Sequence, residues 1–421
     1  MVKSSKTNII PTIFLELLSF TPIIIILGNI VPPVPIKVHF LAFGIVFLCA
    51  LYLLLESRYK LVTLILASIL IVSQFLLNYW DIKNIIDFLF GPLVLLILID
   101  LLVNKKVSVE ILLKYQRRFY YLLWIPIIIG VLQYLNVLSP TIWNADYINY
   151  AYVNDIAIPR PNGFLYHGSE LSIIICFVAL FQFFNNSRTG FLLFLVIVIV
   201  SYTTYFKAIL GCIMALFFVF VLIQIKPLVK LFRKISDKLI GIAALGFTAI
   251  IGFILLYFLN RTYQQTGYFF DPQLMTGRGS IWNIFTDAIS NFSIFNYLFG
   301  SGIGSGPHIF ETYASAENYY ILSIGQPLDA AYDAHNATLS LFINSGLFGL
   351  LSLVFLFRHI FIQVKVWQGG ARRNKYFLLS FFGIIMLSIG ITIPLFDMAI
   401  IWPCIGFLLI KWKSVSSYEI K

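Results

Sequence analysis

The chain has 421 residues, of which 60% are hydrophobic and only 11% charged, with a mean hydropathy of +0.92; a water-soluble globular chain is roughly 25% charged and about half apolar, so water is excluded as the solvent of most of this one. The net charge of +11 does not point to nucleic acid, because the basic residues fall in alternate loops and carry no interleaved aromatics at the spacing of a recognition module. Cys49, Cys176, Cys212 and Cys404 all lie inside apolar runs, which argues against a disulfide framework or a cysteine-based metal site.

The first six residues, with Lys3 and Lys6, resemble a signal n-region, but the apolar stretch after them contains Pro11 and Glu16 and ends in Gly28-Asn29-Ile30. It is read as an uncleaved first helix. Apolar segments follow one another at about residues 10–31, 37–55, 61–79, 84–103, 119–138, 169–185, 190–206, 208–225, 239–259, 337–357, 376–393 and 398–410. Crossing a bilayer takes about 20 apolar residues as helix, and a spanning helix satisfies its own backbone. The expectation is therefore an all-α, polytopic membrane domain over residues 1–421 with about twelve transmembrane helices. Six of the 29 Lys and Arg residues, Lys37, Lys83, Arg160, Lys207, Arg261 and Arg278, fall in one set of alternate loops, and the other 23 fall in the termini and the opposite set. Because Lys and Arg accumulate on the cytoplasmic side, both termini are expected in the cytoplasm.

Two extracytoplasmic loops are long, 139–168 and 260–335, the second lying between the ninth and tenth helices; loops of this length are uncommon unless functional. The cytoplasmic loops are short and basic, with no Walker A sequence and no Gly-x-Gly-x-x-Gly opening a helix. Gly302-Ile303-Gly304-Ser305-Gly306 lacks the phosphate-loop lysine and lies on the wrong side for ATP. No convincing internal repeat is present, which counts against a transporter built from related halves.

The polar groups of the outer face are the candidates for chemistry, since ionisable residues near membrane depth are costly. His335 opens an apolar helix in Asp333-Ala334-His335-Asn336-Ala337, with Asp333 or Asn336 placed to cap it. The positive end of the helix dipole favours a neutral imidazole, which suits a general base; a capping or interfacial histidine is the competing reading. Arg160, Lys207 and Arg261 each adjoin the end of an apolar segment, and Arg278 shares a helical face with Trp282. Guanidinium forks grip phosphate bidentately, so several together can hold a lipid pyrophosphate; pairing with Asp155, Asp271 or Asp287, or with lipid headgroups, is the alternative. His167, in Tyr166-His167-Gly168-Ser169-Glu170, opens another helix as a positioning or capping residue. His308, His39 and His359 have no spacing that makes a metal site, and neither metal nor cofactor is expected.

Taken together, Gly277-Arg278-Gly279-Ser280-Ile281-Trp282, Leu298-Phe299-Gly300-Ser301-Gly302-Ile303-Gly304, Asp333-Ala334-His335-Asn336-Ala337-Thr338-Leu339 and Gly346-Leu347-Phe348-Gly349 resemble the signature of the O-antigen ligase and polymerase superfamily. The resemblance covers residues 160–357. Pro159-Arg160-Pro161-Asn162-Gly163-Phe164 is similar to the arginine loop before the sixth helix of such proteins, and Thr203-Thr204-Tyr205-Phe206-Lys207-Ala208 to the Ser-Arg stretch after the seventh. It implies a GT-C-like, metal-independent, inverting glycosyltransferase of the bacterial inner membrane with its active site facing the periplasm. The donor would be an undecaprenyl-pyrophosphate-linked oligosaccharide, with Arg160 and Arg278 on the pyrophosphate and the histidine matching His335 as base. Lys207, Arg261, Trp282, Asp333, Asn336 and His167 would contact substrate. Lys207 departs from the pattern, being a point charge where relatives have an arginine fork. The motif spacing is more like polymerases, which extend one lipid-linked repeat with another, than like ligases, which transfer the glycan to lipid A-core. A glycolipid flippase is a third reading. The partners implied are membrane lipids, a chain-length regulator and a flippase, with no nucleic acid.

Overall fold

The computed structural model describes residues 9–30, 38–77, 82–104, 107–139, 150–153, 156–159, 161–165, 168–183, 278–313, 337–366 and 400–418, with isolated positions in 196–200 and at 264. The chain is all-helical over these residues apart from one two-stranded hairpin. Helices α1 (Ile9–Ser19), α2 (Thr21–Ile30), α3 (Val38–Leu55), α4 (Lys60–Leu76), α5 (Ile82–Val103) and α6 (Val109–Tyr134) precede strands β1 (Tyr150–Val153) and β2 (Ile156–Pro159). Helices α7 (Gly168–Phe183), α8 (Arg278–Ser290), α9 (Ile294–Phe299), α10 (Gly306–Tyr313), α11 (Ala337–Val366) and α12 (Ile401–Tyr418) follow. The apolar segments expected at 190–206, 208–225, 239–259 and 376–393 lie outside the described residues, a few positions near 200 excepted.

The first apolar segment is two helices, not one. Pro22 has no N–H for the Leu18 carbonyl, and the Thr21 hydroxyl donates to it instead, at 2.8 Å. The Ser19 hydroxyl likewise donates to the Glu16 carbonyl at 2.8 Å, so the break leaves those two carbonyls satisfied, and the two helices bend by 56°. An ion pair between Glu16 and Arg118 of α6 sits beside the bend, with the Arg118 guanidinium 4.9 Å from the centre of the Phe20 ring. Helix α6 starts ten residues ahead of its apolar run, because Ser108 caps it by accepting from the Ile111 N–H at 3.3 Å and Glu110 faces the positive end of the dipole.

The core is assembled by α1, α3, α5, α6, α7 and α12, with Phe14, Val94, Phe119, Ile174 and Phe407 all fully buried. Glycines permit the closest approaches: a Cβ at Gly91 would meet the Trp402 ring, and one at Gly406 the Leu98 side chain. By contrast, one face of α4 is open, with Leu61, Val62, Ile65, Val72 and Phe75 each half exposed or more. Among the described residues no single helix is long and apolar enough to cross a membrane alone, while the bent pair Ile9–Ser19 and Thr21–Asn29 passes that test together.

The long segment 260–335, expected as a loop, contains α8, α9 and α10. Helices α8 and α10 close on the first part of α11 through a separate buried cluster of Ile281, Phe285, Ala288, Ile309 and Ile343, against which Leu339 packs. Helix α11 continues nine residues beyond the expected end at 357 and is broken at Gly346, whose φ of 59° and ψ of −154° are open only to glycine.

Candidate functional site

Of the residues singled out from the sequence, Arg160, His167, Lys207, Arg261, Asp333, His335 and Asn336 lie outside the described residues. Arg278 is the first residue of α8. Trp282 is one turn further on and only 8% exposed, so its ring belongs to the packing of α8. Asp287 is at the surface of α8, and partial burial raises its carboxyl from its ordinary value. His308 is exposed on α10, and among the described residues no three His, Cys, Asp or Glu side chains come together to hold a metal ion.

What the described residues reveal is the frame around these positions. The hairpin pairs Tyr150 with Pro159 and Val153 with Ile156, so β2 ends immediately before Arg160. The turn after Arg160 is then seized by one buried carboxamide. Gln133 Oε1 accepts from the Asn162 N–H at 3.0 Å and the Gly163 N–H at 2.8 Å, while Gln133 Nε2 donates to Asn162 Oδ1 at 3.0 Å. Asn162 Oδ1 also accepts from the Phe164 N–H, at 3.1 Å, and the Phe164 carbonyl accepts from Asn29 Nδ2 at the end of α2, at 3.0 Å. Gly163 has a φ of +65°, and a Cβ there would stand 2.4 Å from the Pro126 carbonyl oxygen of α6. The turn is thus bound to two helix ends and has no room for another residue type.

The glycine-rich stretch 300–306 is held in the same way. The break at Gly346 releases the Ile343 carbonyl from its helical partner, and the Ser301 N–H donates to it at 2.7 Å. Gln74 Oε1, from α4, accepts from the Ile303 N–H at 2.6 Å, and Asn344 Oδ1 accepts from the Gly304 N–H at 3.1 Å. Backbone meets backbone where the stretch enters the break: a Cβ on Gly300 would lie 2.5 Å from the Ile343 oxygen, and one on Gly346 2.6 Å from the Gly300 nitrogen. The glycine-rich stretch is here a packing device: the N–H groups of Ser301, Ile303 and Gly304 are spent on other parts of the chain.

Sequence reasoning passed over Gln74, Gln133, Asn344 and Asn29. The available signal was their type and place: neutral amides near the ends or breaks of apolar helices, where a buried irregular backbone needs both donors and acceptors. No protein-family model matches the chain, and no curated protein matches it.

Proposed function

We propose that the chain is a polytopic glycosyltransferase of the bacterial inner membrane, an O-antigen polymerase that joins undecaprenyl-pyrophosphate-linked repeat units on the periplasmic face. The observation that carries the reading is the single cluster of Ile281, Phe285, Ala288, Ile309 and Ile343. It unites the helix opened by Arg278 with the helix that begins two residues after His335, so helices adjoining two motifs 57 residues apart in sequence belong to one packed unit. In the proposed reaction His335 takes the proton from the acceptor hydroxyl as that oxygen attacks the anomeric carbon of the donor. The bond from that carbon to the pyrophosphate oxygen breaks, and Arg160 and Arg278 hold the departing charge.

Twelve spans with cytoplasmic termini are part of the same proposal, supported by agreement in depth between packing partners. Phe119 and Phe407, both assigned near the cytoplasmic side, have ring centres 4.7 Å apart. Asn29, Gln74 and Gln133, assigned to outer ends, bond the segments assigned to outer loops. The exposed apolar face of α4 suits hydrocarbon better than water.

The decisive experiment is a glycolipid gel of a deletion strain complemented with His335 variants. Deletion is expected to leave lipid A-core bearing one repeat unit. His335→Ala should reproduce that pattern, with transfer reduced about 10²–10⁴-fold. His335→Asn, which caps a helix as well but takes up no proton, should be equally inactive. Bare core with polymer accumulating on undecaprenyl pyrophosphate would replace the polymerase reading with the ligase. Repeat units stranded on the cytoplasmic face would replace both with a flippase.

A further inference from the structure

We infer that the exposed stripe of α6 is a docking site for an anionic phospholipid of the cytoplasmic leaflet, with Lys114 and Arg117 on its phosphate and Tyr121 and Ile128 along its glycerol and acyl chain. The inference rests on the proposed membrane topology, in which α6 rises from the cytoplasm, and not on the glycan chemistry. Between Leu112 and Tyr134 the exposed residues of α6 are Lys114, Arg117, Tyr121 and Ile128, and every other position is buried or half-buried. At 3.6 residues per turn these positions fall within about 60° of one another around the helix. The opposite side is committed to the core, where Leu112, Phe119, Leu123 and Ile127 are buried. Helix α6 therefore meets its surroundings along one narrow stripe.

The order of residues along the stripe identifies the occupant. From the start of the helix it reads cation, cation, phenol, aliphatic, with Tyr121 67% and Ile128 55% exposed. At a rise of 1.5 Å per residue, Tyr121 stands about 6 Å beyond Arg117 and Ile128 about 10 Å beyond Tyr121. That succession matches headgroup phosphate, interface and hydrocarbon within one leaflet. The charge selects the anionic class. Arg118 beside the stripe is committed to Glu16 and to the Phe20 ring, whereas among the described residues neither Lys114 nor Arg117 forms an ion pair. Two unmatched cations one turn apart, set below an exposed phenol, complement a phosphodiester whose headgroup adds no positive charge of its own.

The test is native mass spectrometry of the full-length protein, stripped of lipid in an uncharged detergent and titrated with phosphatidylglycerol or phosphatidylethanolamine. The unsubstituted chain is expected to bind phosphatidylglycerol the more tightly. Lys114→Gln together with Arg117→Gln should weaken that binding about tenfold or more, the loss of two cations at an anionic headgroup. Lys114→Arg with Arg117→Lys keeps both charges and should retain most of it. Arg58→Gln with Lys60→Gln removes the same charge from the cytoplasmic start of α4 and should leave it unchanged. Equal losses from the two neutralised pairs would reduce the effect to diffuse attraction and overturn the site, as would binding that survives the loss of Lys114 and Arg117. Labelling in membranes with a water-soluble maleimide separates failure of the site from failure of the topology. Arg117→Cys should react from the cytoplasmic side, and Ile128→Cys no more than the unsubstituted chain. Ready labelling of Ile128→Cys would put the stripe in water and overturn the membrane placement of α6 and the lipid site together; with Ile128→Cys protected, a failed titration overturns the site alone.

Discussion

The helical core and the unit of α8, α9, α10 and the start of α11 each have a buried cluster, yet they are held by different means. In the core, leucine, isoleucine and phenylalanine meet over long helix faces, and the helices satisfy most of their own backbone. In the second unit the chain leaves helix at Gly300–Ser305 and again at Gly346, and the exposed backbone groups are met by Gln74, Asn344, Asn296 and a carbonyl freed from α11. Apolar packing tolerates exchange among side chains of similar volume. A backbone held by amides and by contacts with no space for a Cβ does not, which puts tight specification where the proposed chemistry is.

That contrast is most easily broken at Gly346. Gly346→Ala forces an L-residue into a conformation costing about 1–3 kcal/mol by itself, and places its Cβ against the backbone of Leu298–Gly300. The expected result is loss of the second unit with retention of the core: rapid amide hydrogen exchange across 278–313 and unchanged protection in α5 and α12. Uniform loss of protection would show that the two regions fold as one. Next in size, Arg278→Ala removes a charge from the first position of α8. Glycan transfer should fall by the equivalent of about 1.5–3 kcal/mol, as for one charge-assisted bond, while protein level and protection stay at wild type; full activity would remove the arginine from donor binding. Gln74→Leu sharpens the comparison from the side of the core helices, since it strips the partner from the Ile303 N–H. A buried donor left unmet costs about 1–3 kcal/mol, read as faster exchange in 300–306 and little change in α4. The smallest effect belongs to the core: Ile97→Val, at a site 1% exposed, should cost about 0.5–1.5 kcal/mol in unfolding and leave transfer unchanged.

The helices of the core were legible because each is an apolar run bounded by charge or proline, and their ends agree with the expected ones to within a few residues at α3, α4 and α7. Three features were not. The start of α6 is hidden because Lys114, Arg117 and Arg118 interrupt apolarity without interrupting helix. The bend after Ser19 was signalled by Pro22, but not that the hydroxyls of Ser19 and Thr21 would meet the Glu16 and Leu18 carbonyls there. The break at Gly346 has only a weak local signal in Asn344-Ser345-Gly346, which apolar segments on both sides obscure; what fills the break is the backbone at Gly300. For the candidate site the sequence supplied charged and ionisable residues, which stand out in an apolar chain. It did not reveal the amides that frame them, because Gln and Asn are inconspicuous until the backbone they meet is known.

The interlock of Gly300 with Gly346 also bears on how such a chain comes to be built. Within 337–357 the apolar run is interrupted by Asn344-Ser345-Gly346, and Gly346 is the residue able to take the positive φ found there. The break lies against the backbone of Leu298–Gly300, a segment synthesised earlier. The interlock closes only once both segments exist, so the unit of α8, α9, α10 and the first part of α11 is completed after α11 has been made.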